Sequence, residues 1–189
     1  MQRIIHLVKI AELHPSIINT LKSNLEKQLN QFDIEVEILE KRLKLRILEL
    51  NLRRKQYKAA KMLKRLTKVA KNKGFFRILG ITEKDIYTKN YNFIFGLANR
   101  GYNSALISIA RLTEKFYTKT RDVHRKLETI NIFNDRILKE AIHELGHTFR
   151  LKHCSNICIM QFSNSLADTD KKPIEFCESC LIKLKKVLN

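Results

Sequence analysis

Apolar and polar positions follow two rhythms along the first half of this chain. Ile4 to Lys9 is a short apolar run of strand type, and His14-Pro-Ser then opens a stretch in which Ile17, Ile18, Leu21, Leu25 and Leu29 recur at helical spacing. Ile34, Val36 and Ile38 alternate with acids, the period-two pattern of a strand buried on one face. From Arg54 to Lys71, Ala59, Met62, Leu63, Leu66 and Val69 share a helical face with basic residues opposite. Three more strands are predicted at Phe75 to Ile81, Asn92 to Leu97 and Ser104 to Leu112, with turn signals at Tyr87-Thr-Lys-Asn and Arg100-Gly-Tyr-Asn. The pattern so far is a sheet with helices packed on it, an α/β arrangement.

A polar, weakly periodic stretch from Thr113 to Glu128 leads to a further helix, whose start the pattern puts at Asn134 or Asp135. Leu138, Ile142, Leu145 and Phe149 form its apolar stripe, while Glu140, His143 and His147 stand on another face. After Phe149 the chain is short of apolar residues until Leu181-Ile-Lys-Leu. Such a tail needs something besides a core of its own to hold it.

Composition narrows the class. The chain has 189 residues, is 44% hydrophobic and contains only five Gly and two Pro, which fits one folded domain and excludes collagen-like or low-complexity chains. No apolar run approaches the length of a membrane span and the amino end is too short in apolar residues for a signal peptide, so a soluble, cytoplasmic protein without a pro-segment or second module is expected. The formal charge is +18, and residues 41–73 carry most of it, with fourteen Lys and Arg against the single acid Glu49. All four cysteines lie between Cys154 and Cys180, where in such a protein they read as thiols or metal ligands and not as disulfides.

The candidate chemistry is concentrated near the carboxyl end. His143-Glu144-Leu145-Gly146-His147 is an HExxH sequence on a predicted helix: histidines four positions apart project from one face and can bind one divalent metal, and the adjacent glutamate can act on water. By itself it is also what a helix surface with two histidines looks like. His153, six residues on, adds a third imidazole if the chain turns back, and three protein ligands with an open fourth position are the arrangement of a catalytic zinc. Cys154, Cys158 and the pair Cys177 and Cys180 have the spacing of a four-thiolate structural zinc site, which would supply folding free energy to the polar tail.

The run from His143 to Cys154, with Cys158-Ile-Met160 and Cys177-xx-Cys180, resembles the archaemetzincins, zinc peptidases of the metzincin clan. Arg54-Lys-Gln-Tyr57, Ile78-Leu-Gly-Ile81, Asn92-Phe-Ile-Phe-Gly96 and Ala105-Leu-Ile-Ser108 extend the likeness over most of the chain. The resemblance implies a twisted, mostly parallel five-stranded sheet with packed helices over residues 1–148, and a small zinc-stabilised lobe over 149–189. It implies two zinc ions per chain: a catalytic one on His143, His147 and His153, with Glu144 as general base and Met160 in the turn below the metal, and a structural one on Cys154, Cys158, Cys177 and Cys180. It also implies that Asn92, Phe93, Ile94, Phe95, Gly96 and Leu97 form the antiparallel edge strand on which an extended peptide lies.

Two positions depart from the family pattern. Arg150 stands where metzincins place Gly for a sharp reversal, and a left-handed conformation costs a non-Gly residue about 1 to 2 kcal/mol, so an altered turn with the ligand retained is expected there. Three residues separate Cys154 from Cys158 where the family commonly has four, which calls for a tighter loop. The expected function is zinc-dependent hydrolysis of peptide bonds by a monomer acting on a peptide or protein, without membrane association. Two other readings fit parts of the chain. A nucleic-acid-binding module of zinc-ribbon type would use the basic residues, although among them only Tyr57 is aromatic, and a metzincin-like protein could bind peptides without cleaving them.

Overall fold

The structure is a computed structural model that describes residues 2–100, 102–116 and 126–188. Within them the strands are β1 Arg3–Lys9, β2 Ile34–Ile38, β3 Leu50–Asn51, β4 Gln56–Lys58, β5 Arg77–Thr82, β6 Ile86–Tyr87, β7 Gly96–Asn99 and β8 Ser104–Ser108. The helices are α1 Pro15–Leu29, α2 Ala59–Lys73, α3 Lys126–Thr148, α4 Leu166–Lys171 and α5 Glu178–Leu188. Five strands form one sheet in the order β2-β1-β5-β8-β7, with all pairs parallel except β7 against β8. This is the mostly parallel α/β sheet expected from the sequence, with its antiparallel strand at one edge.

The alternation of side chains along the central strands divides the core in two. Ile5 and Leu7 of β1, Leu79 and Ile81 of β5, and Ala105 and Ile107 of β8 face α1 and α3. Val8, Ile78 and Leu106 face α2, where Met62, Leu63 and Leu66 cover them. The polar tail finds its core by joining the first of these layers: Leu151, Ile159, Met160, Leu184 and Leu188 are buried in the same cluster as β1 and α3.

Local chemistry explains the element ends. Pro15 begins α1, where its missing N–H costs nothing, and His14 Nδ1 accepts the Ser16 amide. α2 stops at Gly74, which takes φ 65° while Gly74 N–H donates to Lys71 O and Phe75 N–H to Ala70 O, a Schellman closure.

Four expectations need correction. Residues 54–58 are not helical: Lys55 turns with φ 54° and Gln56–Lys58 pair with Leu50–Asn51 and Ile86–Tyr87 in a small second sheet, because the Gln56 side chain binds Asp85 and the Asn92 carbonyl. The strand expected at Asn92–Leu97 runs instead over Gly96–Asn99, with Asn92, Phe93, Ile94 and Phe95 forming the irregular approach to it. The strand expected to reach Leu112 ends at Ser108, whose hydroxyl accepts the Ala110 amide and donates to Lys84 O. Finally, α3 already runs at Lys126, ahead of Asn134 and Asp135; Ile130 is still 45% exposed, and the continuous buried stripe begins only at Arg136 and Ile137, later than the helix. Of the polar stretch Thr113 to Glu128, positions 117–125 lie outside the described residues.

Candidate active site

α3 carries His143, Glu144 and His147 inward: all three are buried, on a helix whose Leu138, Ile142, Leu145 and Phe149 are buried in the core. At its end the chain reverses through Arg150, which takes φ 66°. Arg150 N–H donates to His147 O at 3.0 Å and Leu151 N–H to Gly146 O at 3.1 Å, the same Schellman closure that Gly74 makes for α2. The turn is therefore built in the regular way with an arginine in the left-handed position, and the altered turn expected at Arg150 is not present. This reversal brings His153 back to the helix.

The three imidazoles converge. Their ring centroids lie 4.7 Å (His143 to His147), 4.9 Å (His147 to His153) and 5.4 Å (His143 to His153) apart. Each offers a ligand atom within 4.8 Å of the others. His143 Nδ1 donates to Ile159 O at 2.9 Å and His147 Nδ1 to Leu151 O at 2.8 Å, which fixes the tautomer and leaves each Nε2 lone pair free for a metal. Burial, reinforced for His143 by Lys172 and for His147 by His143, lowers both pKa values to about 3, so these rings are neutral ligands at physiological pH. His153 is lowered too, by burial and by Arg100.

Glu144 sits beside them. Burial, then the nearby Glu140, pushes its carboxyl well above the usual range, while Lys172 and Arg100 pull the other way. Its Oε2 is buried and makes no hydrogen bond to any of the described residues. A buried carboxylate oxygen left unsatisfied beside three convergent imidazole nitrogens is what a metal site with a proton-transferring neighbour requires, so the residues fit a zinc ion. Behind Glu144, Lys172 Nζ binds Glu140 Oε1 at 2.7 Å, a fully buried ion pair that ties the segment after α4 to α3.

Met160 is fully buried under the helix, and Gly146 is the reason it fits: a Cβ there would meet Met160 Sδ at 2.5 Å. The cysteines form a second cluster. Cys154, Cys158, Cys177 and Cys180 bring their sulfurs within 4.8 Å of one another, and the 3.7 Å between Cys154 Sγ and Cys177 Sγ is far beyond a disulfide bond. Cys158 Sγ accepts the amides of Met160 and Cys177, donors suited to a thiolate. The three-residue spacing closes as a tight loop, with Cys154 N–H on Met160 O at 2.9 Å.

The cleft above the histidines has a volume of about 320 Å³ and is bordered by β7 on one side and by Phe162 on the other. Of the residues expected in the edge strand, only Gly96 and Leu97 lie in β7; Phe93, Ile94 and Phe95 line the same cleft from the approach to it. Arg54 and Gln56 both donate to the Asn92 carbonyl, at 2.7 and 2.9 Å, and anchor that approach. Sequence reasoning missed Arg100, Glu140 and Lys172. Glu140 was visible three residues before His143 on the polar side of α3, whereas nothing local marks Lys172 as its partner.

A parallel sheet with an antiparallel edge over a helix that presents HExxH, completed by a third histidine after a sharp turn and a methionine beneath, defines a zinc metallopeptidase of the metzincin type. The model of Peptidase family M54 matches residues 1–186. The chain belongs to that family, the archaemetzincins. It is 39% identical to an archaemetzincin of Pyrococcus furiosus, over all of this chain and 95% of that one, and 41% identical to one of Archaeoglobus fulgidus, over 71% of this chain and 72% of that one. Among solved structures, archaemetzincin from Archaeoglobus fulgidus, complexed with malonate, superposes with a TM-score of 0.78 at 35% identity and covers 95% of this chain and 99% of that one. Archaemetzincin from Methanopyrus kandleri gives 0.79 at 31%, covering 99% and 96%. The protein is a zinc-dependent peptidase acting on peptides or proteins. No helix among the described residues is long and apolar enough to cross a membrane.

Proposed function

We propose that the chain is a two-zinc peptidase in which His143, His147 and His153 hold the catalytic ion and Cys154, Cys158, Cys177 and Cys180 hold a structural one. The observation that carries this reading is the convergence of the three imidazoles beside the unsatisfied Glu144 carboxylate. Zinc held there would supply a Lewis acid for the scissile carbonyl and would lower the pKa of water toward neutrality. Glu144 would accept a proton from water on the carboxylate oxygen that no described residue occupies, and return it to the departing amine. The Ile159 and Leu151 carbonyls keep the two helix histidines oriented, and Met160 supports them from below through its contact with Gly146.

Among the described residues β7 pairs with β8 alone, so its other edge can receive an extended peptide as an added strand, with Gly96 to Asn99 supplying the main-chain groups. On this reading residues 1–148 form the upper part of one domain and 149–189 the lower part, joined through a shared core, and the protein works as a cytoplasmic monomer. Metal analysis with a Glu144→Gln variant tests the proposal. Two zinc ions per chain are expected in both proteins, with hydrolysis of a mixed peptide library lost in the variant by about 10² or more. Hydrolysis by the variant at the unaltered rate would overturn it, as would zinc bound by the cysteines alone.

A further inference from the structure

Next to the peptide cleft lies a second cavity of about 390 Å³ whose charged lining is entirely cationic: Arg77 at the start of β5, Arg100 just after β7, Arg150 at the end of α3 and Lys186 on α5. No carboxylate among the described residues borders it. Arg77 is 8% exposed, yet it has no acidic partner among them. Its guanidinium lies 4.5 Å from the Phe76 ring and 4.4 Å from the Phe149 ring, and it donates to Thr148 Oγ1 at 3.0 Å and Phe76 O at 2.6 Å. Other largely buried guanidiniums in the molecule have a carboxylate: Arg136 has Asp170, Arg111 has Asp85 and Arg65 has Glu49. Burial and then the charge of Arg150 depress the Arg77 pKa to about 10, the direction expected of a cation in a field that is already positive.

Arg100 joins this cavity to the cleft, because it lines both. Its charge also reaches His143, Glu144, His147 and His153. It directly follows Asn99, the last residue of β7, whose first residue, Gly96, lies against Glu144. At roughly 3.3 Å per residue, Arg100 is about 13 Å along the strand from the reacting carboxylate, the span of three to four residues of extended peptide.

We infer that this cavity is a subsite for an acidic side chain of the peptide substrate: a chain laid along β7 puts a Glu or Asp three to four residues from the scissile bond among Arg100, Arg150 and Lys186, above the buried Arg77. The inference rests on the peptidase reading above and adds a substrate class to it. A carboxylate there is held by charge-assisted hydrogen bonds and neutralises a group of cations that otherwise repel one another. Three of the four cations are exposed, so the preference weakens with salt.

The test uses the zinc-loaded protein and two peptides that differ only by Glu or Gln at the positions three and four residues to either side of a cleaved bond. Both have amidated carboxyl ends, so that any preference reports the side chain. A kcat/KM about tenfold higher for the Glu peptide is expected in low salt, falling toward parity in 0.5 M NaCl, with the ratio collapsing in an Arg100→Gln/Arg150→Gln/Lys186→Gln variant. Equal rates for the two peptides, or a preference that survives in the variant, would overturn the acidic subsite and leave the peptidase reading intact. A protein that cleaves neither peptide overturns the peptidase reading; fluorescence anisotropy with the same labelled pair then decides the subsite, and equal affinities would refute it.

Discussion

The Glu144 carboxylate lies directly against the backbone of Gly96, so close that a Cβ on Gly96 would fall 2.5 Å from Glu144 Cγ and 2.6 Å from Oε1. Helix and edge strand meet at that point with no room for a methyl group. Gly96→Ala is therefore expected to displace the carboxylate and lower kcat by about 10²-fold while zinc content and thermal unfolding change little. Full activity in a zinc-replete Gly96→Ala protein would show that the position of Glu144 does not depend on this contact.

Arg150 occupies the left-handed position that ends α3, with φ 66°. Arg150→Gly removes that strain at some cost in unfolded-state entropy, and a net gain of about 1 kcal/mol is expected in urea unfolding of the zinc-loaded protein. The same variant should lose part of the preference for acidic peptides. A variant no more stable than the parent would mean that the arginine is held by compensating contacts.

Lys172 and Glu140 form an ion pair in which both residues are buried, and it faces the Glu144 side of α3. Lys172→Met strands a buried carboxylate and is expected to cost about 3 to 5 kcal/mol, whereas Lys172→Met/Glu140→Leu together should recover most of it. Equilibrium denaturation of the two variants checks this; equal losses in both would show that the pair is not an energetic unit.

Zinc uptake by the two clusters should differ in proton release at pH 7. His143 and His147, with pKa values near 3, are already unprotonated and lose nothing to the metal. Burial raises the Cys158 and Cys180 thiols, so each must give up a proton, while Cys177, lowered to about 6 first by the Ser179 hydroxyl, is mostly thiolate already. Calorimetric titration of zinc-free protein in buffers of different ionisation enthalpy measures the release. The sulfur site should account for nearly all of it, and a Cys158→Ser/Cys180→Ser variant should show almost none.

The elements that could be read in advance were those whose pattern is local. β1, β2, α1 and α2 bury regular stripes, and the HExxH and cysteine spacings are short enough for the chain itself to bring the ligands near one another. Where the reading failed, a partner distant in sequence decided the outcome. Gln56 is drawn out of the helical pattern by Asp85 and Asn92. The edge strand begins at Gly96 and not Asn92 because its register is set by β8, where Gly96 pairs with Ile107.

By itself the sequence determined the class of chemistry, because a metal site needs particular donor atoms at particular short spacings, and these are written in residue types. Tertiary structure alone decided what surrounds that chemistry: the glycine that lets Glu144 meet β7, the lysine that neutralises Glu140, and four cations gathered from β5, the β7 end, α3 and α5. Through-space electrostatics and steric fit depend on distances between segments that are far apart in the chain, and no periodicity in the chain encodes those distances.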